Sequence, residues 1–153
     1  MRKLLLLLFV FLFACSEPID PKAAFDQGKY KQAYAIWLPM AEQGDPAAQN
    51  YIGIQHYLGL GMKRNFKLAK QWFEKAAHQD YADAQYNLGM MYENGHYVQQ
   101  DYVKAFTWFY IASEKGSANA EKRMQSINDE YRLPPFQIWN AVDLAKDYLK
   151  DHP

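Results

Sequence analysis

Residues 82–95 read ADAQYNLGMMYENG. Small and apolar residues recur at Ala84, Leu88, Met91 and Tyr92, the spacing of one helix face. Gly89 nevertheless stands in the middle, where glycine costs about 1 kcal/mol against alanine. Residues 46–59, PAAQNYIGIQHYLG, repeat the pattern 36 positions earlier. Ala48 meets Ala84, Gln49 meets Gln85, Ile52 meets Leu88, Gly53 meets Gly89, and Gly59 meets Gly95. A glycine that recurs at one phase of a helix points to a packing requirement. Lacking Cβ, it lets a neighbouring helix approach the backbone, and Trp72, Phe73, Trp108 and Phe109 are the bulky side chains expected to use the space.

Extended outward, the period divides the chain into blocks 30–65, 66–101 and 102–137. Tyr30, Phe66 and Tyr102 open them. Ala33, Ala69 and Ala105 follow, then Trp37, Phe73 and Phe109, then Ala41, Ala77 and Ser113. Gly44 and Gly116 sit where a helix should end, with Asp80 between them in register; glycine there favours the left-handed cap. Ala48, Ala84 and Ala120 open the second helix of each block. The third block departs, with Gln125 at the mid-helix glycine phase and no loop glycine. Each block therefore predicts two antiparallel helices, and the fold class is all-α. The segment YVKAFTWFYIASEKG, 102–116, is apolar on nearly every side and belongs between neighbours. A short helix over AAFDQG, 23–28, should lead the array. The breaker Leu133-Pro134-Pro135 should start a last helix, with Phe136, Trp139, Val142 or Asp143, and Ala145 in helical spacing. Pro39 is expected to kink the first long helix.

The front of the chain follows other rules. Arg2 and Lys3 precede an unbroken apolar run from Leu4 to Ala14, the n-region and h-region of a secretory signal. The run is too short for a membrane span, which needs about 20 residues. It ends at Cys15, the one cysteine of the chain. LFAC resembles a bacterial lipoprotein cleavage box, although Phe13 is bulkier than that pattern prefers. The resemblance implies cleavage of residues 1–14 and acylation of Cys15, and Ser16 in the following position implies the outer membrane. Several acyl chains anchor stably, at roughly 0.8 kcal/mol per buried methylene. Residues 15–22, with two prolines, read as a polar tether, and 23–153 as the folded domain. An acylated cysteine leaves no thiol for a disulfide, so the core alone must hold the fold.

The chain carries 17 basic and 17 acidic residues and lacks a basic run or acidic tail, which argues against nucleic acid as a partner. Its four histidines, His56, His78, His96 and His152, form no metal-ligand spacing, and no phosphate loop, GxSxG or cysteine nucleophile is present. No cofactor is expected and the chain reads as a non-enzyme. Aromatic residues are abundant at 16%, but Trp37, Trp72, Phe73, Trp108 and Phe109 occupy the repeated core phases.

Residues 69–95, AKQWFEKAAHQDYADAQYNLGMMYENG, resemble the Sel-one-like repeat, a relative of the tetratricopeptide repeat. Residues 33–61 meet the pattern nearly as well, and 105–124 in their first half. The resemblance implies an α-solenoid of stacked antiparallel helix pairs, about three repeats with terminal capping helices. It also implies that the second helix of each pair lines a concave face. Residues there outside the repeat signature are then candidates for recognition: Asn50, Ile54 and Tyr57; Asp83, Tyr86, Met90 and Glu93; Lys122 and Ser126. Tyr57, Tyr86 and Glu93 lead the set, since tyrosine is favoured at hot spots. The expectation is a lipid-anchored module of the bacterial envelope that binds a protein on this face, as a monomer or weak dimer. A module for cell-wall glycan, with tyrosines stacking on sugars, is the alternative.

Overall fold

A computed structural model describes residues 19–152. The signal, Cys15 and residues 16–18 of the tether lie outside the described residues. The helix order is α1 (Pro21–Asp26), α2 (Tyr30–Glu42), α3 (Pro46–Leu58), α4 (Phe66–Ala77), α5 (Ala82–Asn94), α6 (Tyr102–Glu114), α7 (Ala118–Tyr131) and α8 (Pro135–Asp151). Every described regular element is helical. The pairs are α2/α3, α4/α5 and α6/α7, and successive helices from α1 to α7 pack on one another.

The helix boundaries come from short-range chemistry that repeats with the period. Asn65 and Asp101, 36 apart, accept from the Leu68 and Lys104 amides at 3.1 and 2.9 Å. Such caps contribute about 1 kcal/mol each. The loops before them close identically, with Asn65 N–H donating to the His56 carbonyl and Asp101 N–H to that of Tyr92. Gly59 and Gly95 end α3 and α5 at φ of +74° and +68°. Gly44 and Gly116 take positive φ as expected, and Asp80 in the same phase adopts it without being glycine (φ +59°).

The repeated positions form the core. Ala33, Ala69 and Ala105, and Ala48, Ala84 and Ala120, are buried, as are Trp37, Phe73 and Phe109. A Cβ built on Gly53 would lie 2.5 Å from Phe73 Cε1, and one on Gly89 would lie 2.5 Å from Phe109 Cε1. The glycines therefore seat the aromatic ring of the next pair's first helix. Trp72 and Trp108 do not share this role: both are half-buried, with the Lys75 ammonium over the Trp72 ring and Tyr148 edge-on to Trp108.

Where the sequence pattern lapses, so does the stacking. Gln125 occupies the third glycine phase, and α8 packs mainly against α6 instead of along α7. Its buried face runs through Ala141 and Ala145, with Ile138 and Val142 half-buried beside them. Phe136 and Trp139, expected on one stripe with Ala145, are exposed. The stripe is rotated because α8 is held by α6 and α4: Thr107 Oγ1 donates to the Ala141 carbonyl at 3.3 Å, and Tyr148 Oη to that of Ala77 at 3.0 Å.

One further expectation shifts. The leading helix begins at Pro21, inside the expected tether, because Asp20 caps it by accepting from the Lys22 and Ala23 amides. Asp-Pro is an N-cap followed by a pre-set first helical residue, and Asp45-Pro46 opens α3 in the same way. Pro39 does not end α2, which runs on to Glu42. It sits in the last turns with Ala35, whose carbonyl it leaves free, and both are exposed, so water can satisfy that carbonyl.

Candidate functional site

The second helices of the first two pairs, α3 and α5, face each other across a shallow concavity. Ile54, Tyr57 and Leu58 line it from α3, and Tyr86, Asn87 and Met90 from α5, with the edge of Phe73 beneath. Its volume is about 240 Å³. The lining is predominantly apolar, and Leu58 stands 57% exposed at its lip. Sequence reasoning named Ile54, Tyr57, Tyr86 and Met90, and the fold gathers these four. It missed Leu58 and Asn87, which one helical face would have supplied, since they lie four and three positions from Ile54 and Met90.

Polar contacts hold the walls. Asn87 Nδ2 donates to Asn50 Oδ1 at 2.9 Å, tying α5 to α3. Tyr57 Oη and His96 Nδ1 are 2.8 Å apart, and the His96 ring stacks on Phe66 with centroids 4.4 Å apart. Burial pushes the Tyr57 hydroxyl above its ordinary range; the Asn94 bond opposes this, Glu93 adds to it, and the Arg64 guanidinium opposes it. Tyr86 is raised chiefly by burial too, against the pull of Arg123.

Two candidates take a different place from the one expected. Asn50 is buried by its bond to Asn87. Glu93 is 3% exposed and chelated by Arg123, whose Nε donates to Glu93 Oε2 at 2.9 Å while Nη2 contacts Oε1. The pairing holds the Arg123 guanidinium above its ordinary range. Both residues thus fix the backbone behind the surface, because a carboxylate is buried only when paired. Asp83, Lys122 and Ser126 lie outside the concavity. Asp83 is exposed near Tyr81 and Tyr51, where its charge adds to the upward shift of each hydroxyl that burial chiefly causes. Lys122 is exposed on α7, and Ser126 Oγ bonds its carbonyl.

Several rings that suggested sugar stacking are engaged with one another. Trp37 stacks on Tyr51 at 4.1 Å, and Tyr102 on Tyr131 at 3.9 Å. Among the described residues no cluster of three or more His, Cys, Asp or Glu has the arrangement of a metal site, and no helix is long and apolar enough to cross a membrane.

Comparison with known proteins agrees with the geometry. A family model for the Sel1 repeat matches residues 46–81 and 82–117. The Arabidopsis thaliana ERAD-associated ubiquitin-protein ligase component HRD3A is 36% identical over 70 residues, covering 46% of this chain and 10% of its own length. A solved Sel1 repeat protein from Oxalobacter formigenes superposes with a TM-score of 0.66 at 38% identity, covering 72% of this chain and 45% of that one. A protective antigen of uropathogenic Escherichia coli with an SLR fold gives 0.76 at 30% identity, over 85% of this chain and 28% of the other. The chain thus spans about a tenth of HRD3A and under half of either solved chain. With their period, their paired helices and their glycine-seated aromatic rings, residues 46–117 are Sel1 repeats, and the chain that carries them folds as an α-solenoid.

Proposed function

We propose that the chain is a non-enzymatic interaction module that holds a protein partner on the α3/α5 concavity. The observation that carries this reading is the concavity itself. It is a predominantly apolar hollow with an exposed leucine at its lip, and its half-buried walls, Ile54, Tyr57, Tyr86 and Met90, keep part of their surface open to solvent. A short helical array can offer such a groove to an extended peptide or a helix. A role within a larger assembly is in keeping with HRD3A, which is named as a ligase component. Acylation of Cys15 would hold the module at the periplasmic face of a bacterial membrane, the outer one by the residue at position 16. This part rests on the sequence pattern of residues 1–16.

The test is in-cell crosslinking followed by capture of the full chain, beside a Leu58→Gln/Met90→Gln variant with an unchanged melting temperature. The reading expects a specific protein captured by the wild type and lost with the variant. An identical catch from both would remove the docking site from this face.

A further inference from the structure

The loop that follows the α3 wall of the concavity carries positive charge with no carboxylate paired to it among the described residues. Between Asp45 and Glu74 the chain has no acidic residue, yet it holds Lys63, Arg64, Lys67 and Lys70. Lys70 pairs with Glu74. Lys63, Arg64 and Lys67 are exposed and make no salt bridge among the described residues. They occupy the α3–α4 loop and the first turn of α4, directly after Leu58.

The fold brings this loop to the hollow. Asn65 N–H donates to the His56 carbonyl at 2.8 Å, closing the loop on the end of α3. The Arg64 guanidinium lies 5.0 Å from the Phe66 ring centre, and Phe66 is edge-on to Tyr57 at 5.2 Å. Gly61 seats the loop against the start of α2: a Cβ there would be 3.0 Å from Tyr30 Cβ and 3.3 Å from Lys31 Cγ. That places Lys31, exposed and without a carboxylate partner among the described residues, beside the same loop. The equivalent loop one repeat later, residues 95–101, has no lysine or arginine, and Lys104 beyond it is paired with Asp101. The charge therefore belongs to the α3–α4 loop and is not a property of the repeat.

Resting on the docking role above, we propose that the occupant is a peptide segment of a partner protein in which an apolar side chain is flanked by acidic residues. The apolar residue enters between Ile54, Leu58 and Met90, and its flanking carboxylates meet Lys63, Arg64 and Lys67. Complementary charge steers encounter and fixes register, while the hollow supplies the desolvated anchor site. A peptide fits better than an anionic membrane because the apolar element here is a recess and not a protrusion.

The experiment selects from a random peptide display library on the full chain in detergent, with Lys63→Glu/Arg64→Glu and Leu58→Gln/Met90→Gln variants in parallel. The proposal expects an enriched pool with acidic residues around an apolar one, binding at least about tenfold weaker to the charge-reversed variant and weakening as salt shortens the screening length. An enriched pool indifferent to charge, yet lost on the Leu58→Gln/Met90→Gln variant, would overturn the acidic specificity and leave the docking site standing. A pool no richer on wild type than on both variants would overturn both. Hydrogen exchange on the full chain in vesicles is the further arm. Protection of residues 59–65 by phosphatidylglycerol but not phosphatidylcholine, with a charge-blind pool, would assign the cations to the membrane and overturn the proposal.

Discussion

Gly89 lies against the ring of Phe109, so close that a Cβ in its place would be 2.5 Å from the ring edge. Gly53 and Phe73 repeat the relationship with the same distance. This pair of contacts joins one repeat to the next. Gly89→Leu should therefore destabilise by about 1–3 kcal/mol or more through overpacking, read as a fall in thermal midpoint. Gly89→Ala combined with Phe109→Leu should cost at least about 0.5 kcal/mol less than the sum of the two single changes, since the residues touch. An unchanged midpoint for Gly89→Leu would refute the seating.

The Glu93–Arg123 pair ties α5 to α7, with Glu93 carrying almost no solvent exposure. Removing the arginine strands a buried carboxylate. Arg123→Met should cost about 3 kcal/mol, and adding Glu93→Met should recover much of it. Chemical denaturation of the three variants measures this. A double variant as unstable as the single would contradict the account.

His56 is buried, with Tyr34 Oη 3.4 Å from Nε2 and no partner for Nδ1 among the described residues. Burial lowers its pKa below the ordinary 6.5. The unfolded chain then binds the proton more readily than the folded one, so stability rises with pH through this range. His56 leaves stability intact above about 6.5 and erodes it as pH falls toward the lower folded value. Melting at about pH 7 and pH 5.5 should show a drop, and His56→Gln should flatten it. An equal slope in both proteins would assign the dependence elsewhere.

Acylation at Cys15 predicts that labelled palmitate enters the wild type but not Cys15→Ser, and that the variant leaves the membrane fraction acylated protein occupies. Labelling of Cys15→Ser, or fractionation unchanged by it, would refute the anchor.

Much of the architecture was legible because the period repeats the chemistry that sets it. Tyr30, Phe66 and Tyr102 open α2, α4 and α6 as the blocks required, and the mid-helix glycines pointed to the close crossing. Periodicity identified a core phase but not which of two adjacent aromatics fills it, so Trp72 and Trp108 were grouped with Phe73 and Phe109. It also could not orient α8. Once Gln125 replaces glycine the next helix leaves the stacking rule, and contacts distant in sequence, such as Tyr148 with Ala77, decide which face is buried. At the site, the face of α3 and α5 was legible, giving Ile54, Tyr57, Tyr86 and Met90. The burial of Asn50 and Glu93 was not, because it depends on Asn87 and Arg123, 37 and 30 residues away. The cations of the α3–α4 loop stood in plain view, but only the loop's closure on His56 brings them to the hollow.

The most direct test of the concave docking site is a photo-crosslinking amino acid placed in turn at Leu58, Arg64, Met40 and Leu144 of the full chain in cells. Leu58 lines the hollow and Arg64 lies over Phe66, which packs edge-on to Tyr57, whereas Met40 and Leu144 are exposed on α2 and α8. The account predicts one shared covalent adduct at Leu58 and Arg64, with none at the other two. An adduct at Met40 or Leu144 without one at Leu58 would contradict it.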